Sequence, residues 1–461
     1  MDWNNIISHQ RTGDSNSLSG PRSSFQRDFD RLIFSSAFRR LQNKAQIFPL
    51  PGSTFVHNRL THSLEVASVG RSLGKLIGEG LIIKKLIEPQ NKEFYKYELQ
   101  NVIAAACLAH DIGNPSFGHS GEKAISNYFD KNQNCLIEND TKLKDYFIKD
   151  EGKEEWADLI SFEGNANSFR ILTHYFNGKS PGGYKLTYST LASMLKYPCD
   201  SEAINDKKIH TKKFSFFQSD KYSANEILET LNVKKESDKP LIFNRHPFVY
   251  LTEAADDICY RIVDFEDAQR LKILSHKEVS ELFLILIESI GRKEDNINSI
   301  KDTFGNINDK NENISYLRAK CINSLILQTS ELYLSKIDSI IKGAYNSGLL
   351  DELTKTNHAL SQIKKISEKE IYNHDSVVEL EITGYQVMEQ LLSLFVPAIL
   401  KKSPSHRDKK IIKLLPKQFH TKEESDYEKV MSVLDFISGM TDPFAIELYR
   451  KLFGIEIPKH F

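Results

Sequence analysis

Ala104-Ala105-Ala106-Cys107-Leu108-Ala109-His110-Asp111-Ile112-Gly113-Asn114-Pro115-Ser116-Phe117-Gly118-His119-Ser120-Gly121-Glu122 is the stretch that decides how this chain reads. An apolar helix runs into an adjacent His-Asp pair and breaks at a Gly/Pro-rich turn. It resumes as a helix carrying His119 and Glu122. Those two stand at i and i+3 and share a helix face. A carboxylate beside an imidazole orients the ring and favours its charged form, so the pair is a candidate for protonating a leaving oxygen or aligning a water. Gly118 and Gly121 leave the backbone open to close approach.

A His-Asp dipeptide alone says little. The chain holds a second one, His374-Asp375, which follows charged residues, lacks a glycine turn and reads as a helix cap at Asp375. His110-Asp111 differs because partners appear elsewhere. Arg59-Leu60-Thr61-His62-Ser63 lies upstream and Glu253-Ala254-Ala255-Asp256-Asp257-Ile258 downstream, each setting a ligand-type residue in an apolar helical pattern. Buried carboxylates are costly unless something positive sits among them. Two imidazoles with two carboxylates suit one divalent ion of the Mn, Mg, Co, Ni or Fe kind, not a thiolate-bound metal. A position must stay open for water or a phosphate oxygen. Asp256, Tyr260 and Asp264 fall at i, i+4 and i+8 on one helix face. That row suits a substrate with phosphates at one end and a hydroxyl-bearing sugar at the other. Lys196-Tyr197, just before Pro198, adds a cation and an aromatic ring at a helix end.

The 461 residues carry a formal charge of −1, which argues against an obligate nucleic-acid coat protein. Lys401, Lys402, Arg407, Lys409, Lys410, Lys413 and Lys417 form a local basic cluster, a candidate face for single-stranded DNA. The five cysteines are scattered and odd in number, without Cys-x-x-Cys, so neither a disulfide framework nor a zinc-thiolate site is expected. That usage fits a reducing, cytoplasmic setting. No apolar run suggests a signal peptide or a membrane span.

Amphipathic helices are many and strands scarce, so the fold class is all-α, with at most a minor strand pair. Residues 1–24 read as a mobile arm and 25–275 as the core, with an irregular insertion at about 198–240. Residues 276–461 read as helices packed on that core, serving oligomerisation or regulation. One helix is expected over Phe25 to Gln46, another over Leu60 to Ile87 and a third over Leu186 to Lys196. Lys213-Phe214-Ser215-Phe216-Phe217 is the best strand candidate.

In order along the chain, these motifs resemble the HD-superfamily deoxynucleoside triphosphate triphosphohydrolases, the dGTPase-like enzymes. The resemblance begins at Arg27-Asp28 and takes in Arg31 to Phe48, Arg59 to Ser63, the opening stretch and Phe162-Glu163-Gly164-Asn165-Ala166. It continues through Leu195 to Pro198 and Glu253 to Ile258, and ends with Ile437-Ser438-Gly439-Met440-Thr441-Asp442-Pro443-Phe444-Ala445. It implies a metal held by His62, His110, Asp111 and Asp256, the family spacing to Tyr260 and Asp264 selecting Asp256 over Asp257. It implies His119 with Glu122 as the catalytic pair. Gln46 and Asp264 would meet the sugar 3′-hydroxyl, with Tyr260 under the deoxyribose. Arg59 and Lys196 would hold phosphates, with Tyr197 near them. The implied reaction is dNTP plus water giving deoxynucleoside and inorganic triphosphate. The resemblance also implies a homo-oligomer, a hexamer above others, and a nucleotide activator at a subunit interface. Asn114 and Ser116 stand where many members have His and Pro. Two other readings fit a bare HD pattern. One is a phosphohydrolase of cyclic nucleotides or guanosine tetraphosphate; the other is a non-catalytic nucleotide or single-stranded-DNA binder.

Overall fold

Three helices build the frame of the site. Arg59–Ile83, Leu99–Ala109 and Val249–Arg270 pack on one another in the computed structural model, which describes residues 1–13, 21–50, 55–148, 152–292, 296–420 and 425–457. The first is started by a capping box: Thr61 N–H donates to Asn58 Oδ1 at 2.9 Å, and Asn58 N–H to Thr61 Oγ1 at 3.1 Å. That box fixes the first turn, where His62 sits. A Cβ on Gly70 would lie 2.4 Å from Cys107 Sγ, so glycine sets how closely this helix meets Leu99–Ala109. From Val102 to Ala109 every residue of the latter is buried, which leaves His110 at the end of a fully enclosed rod.

The architecture is all-α. Among the described residues the strands form two small antiparallel pairs, Leu136–Glu138 with Thr141–Lys142 and Lys235–Asp238 with Leu241–Phe243. Lys213 to Phe217 is not a strand, contrary to the sequence expectation. Phe214, Ser215, Phe216 and Phe217 are all fully buried, so this segment threads between packed elements instead of alternating one wet and one dry face. The helix expected through Phe25 to Gln46 is broken: Ser24–Ile33 ends, and Ser35 caps Ser36–Arg40 by accepting from Phe38 N–H at 3.1 Å. Leu186 to Lys196 contains only the short helix Tyr188–Ala192, capped by Thr187. His374, not Asp375, is the cap of Asp375–Leu400, its ring accepting from Ser376 N–H.

The free amino-terminal arm is also corrected where residues are described. Trp3 and Ile6 are buried in the main core, and Ile6 O accepts from His246 Nε2 at 2.9 Å. Arg11 pairs with buried Asp28 at 2.6 Å. Residues 14–20 of that arm lie outside the described residues.

Two hydrophobic cores form, and both draw on either side of residue 275. One joins the amino-terminal helices to residues 279–377. The other joins residues 117–217 to the helices Asp375–Leu400, Asp426–Ser438 and Asp442–Leu452. The second is held partly by Arg170, whose guanidinium binds both oxygens of Asp435 at 2.8 and 2.9 Å. The carboxy-terminal helices therefore wall the site as well as supporting it. None of the described helices is long and apolar enough to cross a membrane.

Candidate metal centre and nucleotide cleft

His62, His110 and Asp256 offer donor atoms that all lie within 4.8 Å of one another. His62 Nε2 stands 3.1 Å, and His110 Nε2 3.4 Å, from the same oxygen, Asp256 Oδ1. His110 Nδ1–H donates to Cys107 O at 2.6 Å, a carbonyl one turn back on its own helix, which directs Nε2 inward. His110 Nε2 is buried and has no hydrogen-bond partner. An imidazole nitrogen without a well-aligned hydrogen bond, 3.4 Å from a carboxylate oxygen and facing a second imidazole, fits a divalent cation.

Asp111 stands beside this trio, not within it. Its Oδ1 is 3.7 Å from His110 Nε2 and accepts from Asn114 Nδ2, while Oδ2 accepts from Arg59 Nη1 at 2.6 Å. Burial works against ionisation of Asp111, but Arg59, His110 and His62 outweigh it and hold the carboxyl down at about 2. Asp256 Oδ2 accepts from Lys196 Nζ at 2.8 Å, so Lys196 is engaged by the cluster and does not project free. Burial again opposes ionisation, yet Lys196 and His110 keep Asp256 well below the carboxylate range. Neighbouring Asp257 is outside the cluster, and burial, Glu253 and Asp256 push its pKa up to about 8. The Tyr197 ring lies 5.7 Å below the Arg245 guanidinium, which itself is clamped by Glu253.

Beside this cluster, joined to it through Arg59 and Tyr260, a cleft of about 320 Å³ lies between Arg59, His119 and Tyr260 on one side and the helix Asp375–Leu400 on the other. The Tyr260 ring meets His62 edge-on at 5.5 Å and Tyr372 at 6.3 Å. Tyr372 O–H donates to Asp264 Oδ2 at 2.9 Å, and burial raises the Asp264 pKa well above normal. Gln46 lines the same cleft, with Oε1 buried and without a partner. Gly118, at φ 60, lets Arg59 pass: a Cβ there would meet Arg59 Nη2 at 2.4 Å.

His119 and Glu122 share a helix face but do not bond to each other. Glu122 is buried and turned to the backbone, accepting from Gly164 N–H at 2.9 Å. Gly164 opens the helix Gly164–Thr173, and a side chain there would collide with Glu122 and Asn114. Burial raises the Glu122 pKa against the pull of Lys213. His119 keeps an exposed ring at the cleft. Its pKa is lowered by partial loss of water, then by Lys213 and Arg59. Tyr372, which lines the cleft, and Lys213, which is paired with Glu163 at 2.9 Å and acts electrostatically on His119, are residues that the sequence reading missed. Lys213 hid in an apparent strand. Tyr372 lies 108 positions beyond its partner, and nothing local marks it.

Comparison with known proteins agrees with this geometry. Residues 59–173 match the HD domain model, and residues 353–451 match the phosphohydrolase-associated domain. A deoxyguanosinetriphosphate triphosphohydrolase-like protein of Synechocystis sp. is 36% identical over 99% of this chain and 100% of its own length. A relative of the same description in Pseudomonas aeruginosa is 35% identical, again over 99% of this chain and 100% of its own. The deoxyguanosinetriphosphate triphosphohydrolase of Yersinia enterocolitica is 29% identical over 94% of both. With a helical frame, a His/Asp cluster at its centre and full-length relatives of one description, this chain belongs to the dGTPase-like family of HD-superfamily phosphohydrolases.

Proposed function

We propose that the cleft hydrolyses deoxynucleoside triphosphates to deoxynucleoside and inorganic triphosphate, and that His62, His110, Asp111 and Asp256 hold the divalent ion this needs. The observation that carries the reading is the unpartnered, buried Nε2 of His110 aimed at Asp256 and His62. A bound divalent ion supplies Lewis-acid polarisation of the α-phosphate. Arg59, Lys196 and Lys213 are the cations within reach of a triphosphate. Water attacks the α-phosphorus, the bond from phosphorus to the 5′-oxygen breaks, and a proton goes to that oxygen. His119 is the group at the cleft suited to deliver it. Burial is the first cause of the lowered His119 pKa, and the cations Lys213 and Arg59 that add to it are those a triphosphate would neutralise. Substrate arrival would therefore raise the His119 pKa and charge the acid in place.

Gln46 Oε1 and Asp264 are the acceptors for the 3′-hydroxyl, and Tyr260 packs beneath the deoxyribose. The base then reaches the wall formed by Val377, Leu380 and Glu381. The names of the relatives favour dGTP among the substrates. Incubation with each dNTP and NTP, plus Mn or Mg, with products separated by chromatography, tests the reading. Inorganic triphosphate and deoxynucleoside are expected from dNTPs. Stepwise release of single phosphates, or turnover confined to cyclic nucleotides, would overturn it.

A further inference from the structure

Asp442 begins the helix Asp442–Leu452, yet its carboxylate serves two distant arms of the cleft instead of its own helix. Oδ2 accepts from Ala45 N–H at 2.8 Å, next to Gln46. Oδ1 accepts from Phe117 N–H at 3.0 Å, two residues before His119. The two bonds span 397 and 325 positions of sequence. Asp442 is 5% exposed, and buried carboxylate bonds to backbone N–H groups are among the stronger neutral-to-charged hydrogen bonds.

The neighbourhood repeats the pattern. Ser116 O–H donates to Met440 O at 2.8 Å. The buried Lys44 ammonium bridges Asn114 O at 2.6 Å and Ser438 O at 2.9 Å. Asn167 bridges Gly113 O and Ser438 Oγ at 2.6 and 3.2 Å. Phe117 itself sits at φ 62, a conformation that costs a side-chain-bearing residue free energy and persists only where surroundings enforce it. Its side chain packs against Gly384, where an added Cβ would lie 2.6 Å from Phe117 Cβ and 2.9 Å from the ring's Cγ.

We propose that Asp442 is a positioning residue: one carboxylate fixes the arm carrying Gln46 and the turn carrying His119 at a set separation. The carboxy-terminal segment Ser438 to Asp442 thereby determines the geometry of a site to which it contributes no reacting group. This rests on the cleft being the nucleotide site. Asp442→Asn keeps size and one acceptor oxygen but turns an amide N–H toward one of the two backbone donors.

The test uses full-length, Mn-loaded protein. Amide hydrogen exchange at Ala45 and Phe117 is expected to quicken about tenfold or more in Asp442→Asn, since a buried bond is lost. The metal should remain bound at wild-type stoichiometry. With dGTP, kcat/KM should fall about tenfold or more, as misplacement of about an ångström commonly costs. Unchanged exchange at both amides in the folded variant, or unchanged kcat/KM, overturns the proposal. Should Asp442→Asn not fold, Ser116→Ala decides. Faster exchange confined to the Phe117 side with a smaller loss of kcat/KM supports the strut, and no change in either overturns it. Should the wild-type protein turn over no dNTP, the reading of the cleft fails separately, and the exchange measurement still reads the strut.

Discussion

The two ends of the cleft are built in opposite ways. At the metal end, His62, His110 and Asp256 project from the first turn of one helix, the end of a second and the middle of a third, all packed together in one core. His110 is oriented by Cys107 O on its own helix, and Asp256 by Lys196 Nζ, 60 positions away. At the other end, the walls come from residues far apart in sequence: Gln46, Tyr260, Tyr372 and the helix Asp375–Leu400. Orientation there runs through long-range bonds such as Tyr372 to Asp264. One end is framed by three mutually packed helices; the other is walled by segments from separate parts of the chain. Ligand binding and substrate discrimination should therefore respond to different mutations.

The sharpest way to break this contrast is Asp256→Ala. Loss of the metal with a fall in turnover of about a thousandfold or more is expected, whereas Asp257→Ala should keep the metal. Metal analysis of the two purified variants separates them, and equal loss from both would dissolve the frame described here. His119→Ala comes next: metal and nucleotide should stay bound while triphosphate release slows by about a hundredfold or more. Single-turnover measurement with metal analysis checks this, and wild-type turnover would remove His119 from the reaction.

Tyr372→Phe tests the assembled end. It deletes one hydrogen bond to buried Asp264, so KM for dNTP should rise several-fold and stability fall by about 1 kcal/mol, with metal content unchanged. Loss of metal in that variant would show that the two ends are not separable. The smallest effect concerns His57, just before the helix that carries His62. Burial disfavours its charged form, but Asp267 at 2.8 Å and Glu65 at 3.2 Å outweigh this and raise its pKa from the ordinary 6.5 to about 10. A group with a raised folded-state pKa contributes fully below the unfolded value, and its contribution fades as pH rises toward the folded one. Wild-type stability should thus decline between about pH 6.5 and 10 more than that of His57→Gln, as thermal melts across that range would read.

The grouping of His62, His110 and Asp256 was legible because these residues sat in apolar helical patterns, where a buried carboxylate or imidazole needs a physical reason. The all-α class followed from the same periodicity. Burial, however, overrode local pattern at Phe214 to Phe217, where enclosure on all sides removed the alternation a strand would show. It also claimed Trp3 and Ile6 from a segment whose polar composition suggested an arm.

The apolar helical patterns around His62, His110-Asp111 and Asp256 marked these side chains by sequence alone, because helical spacing is local, and the structure brings His62, His110 and Asp256 together. Only the tertiary structure decided that Glu122 turns to Gly164 instead of His119, that Tyr372 joins the cleft, and that Asp442 ties Ala45 to Phe117. Those contacts cross up to 397 residues. No periodicity encodes a partner at that distance; packing of the two cores brings it into reach.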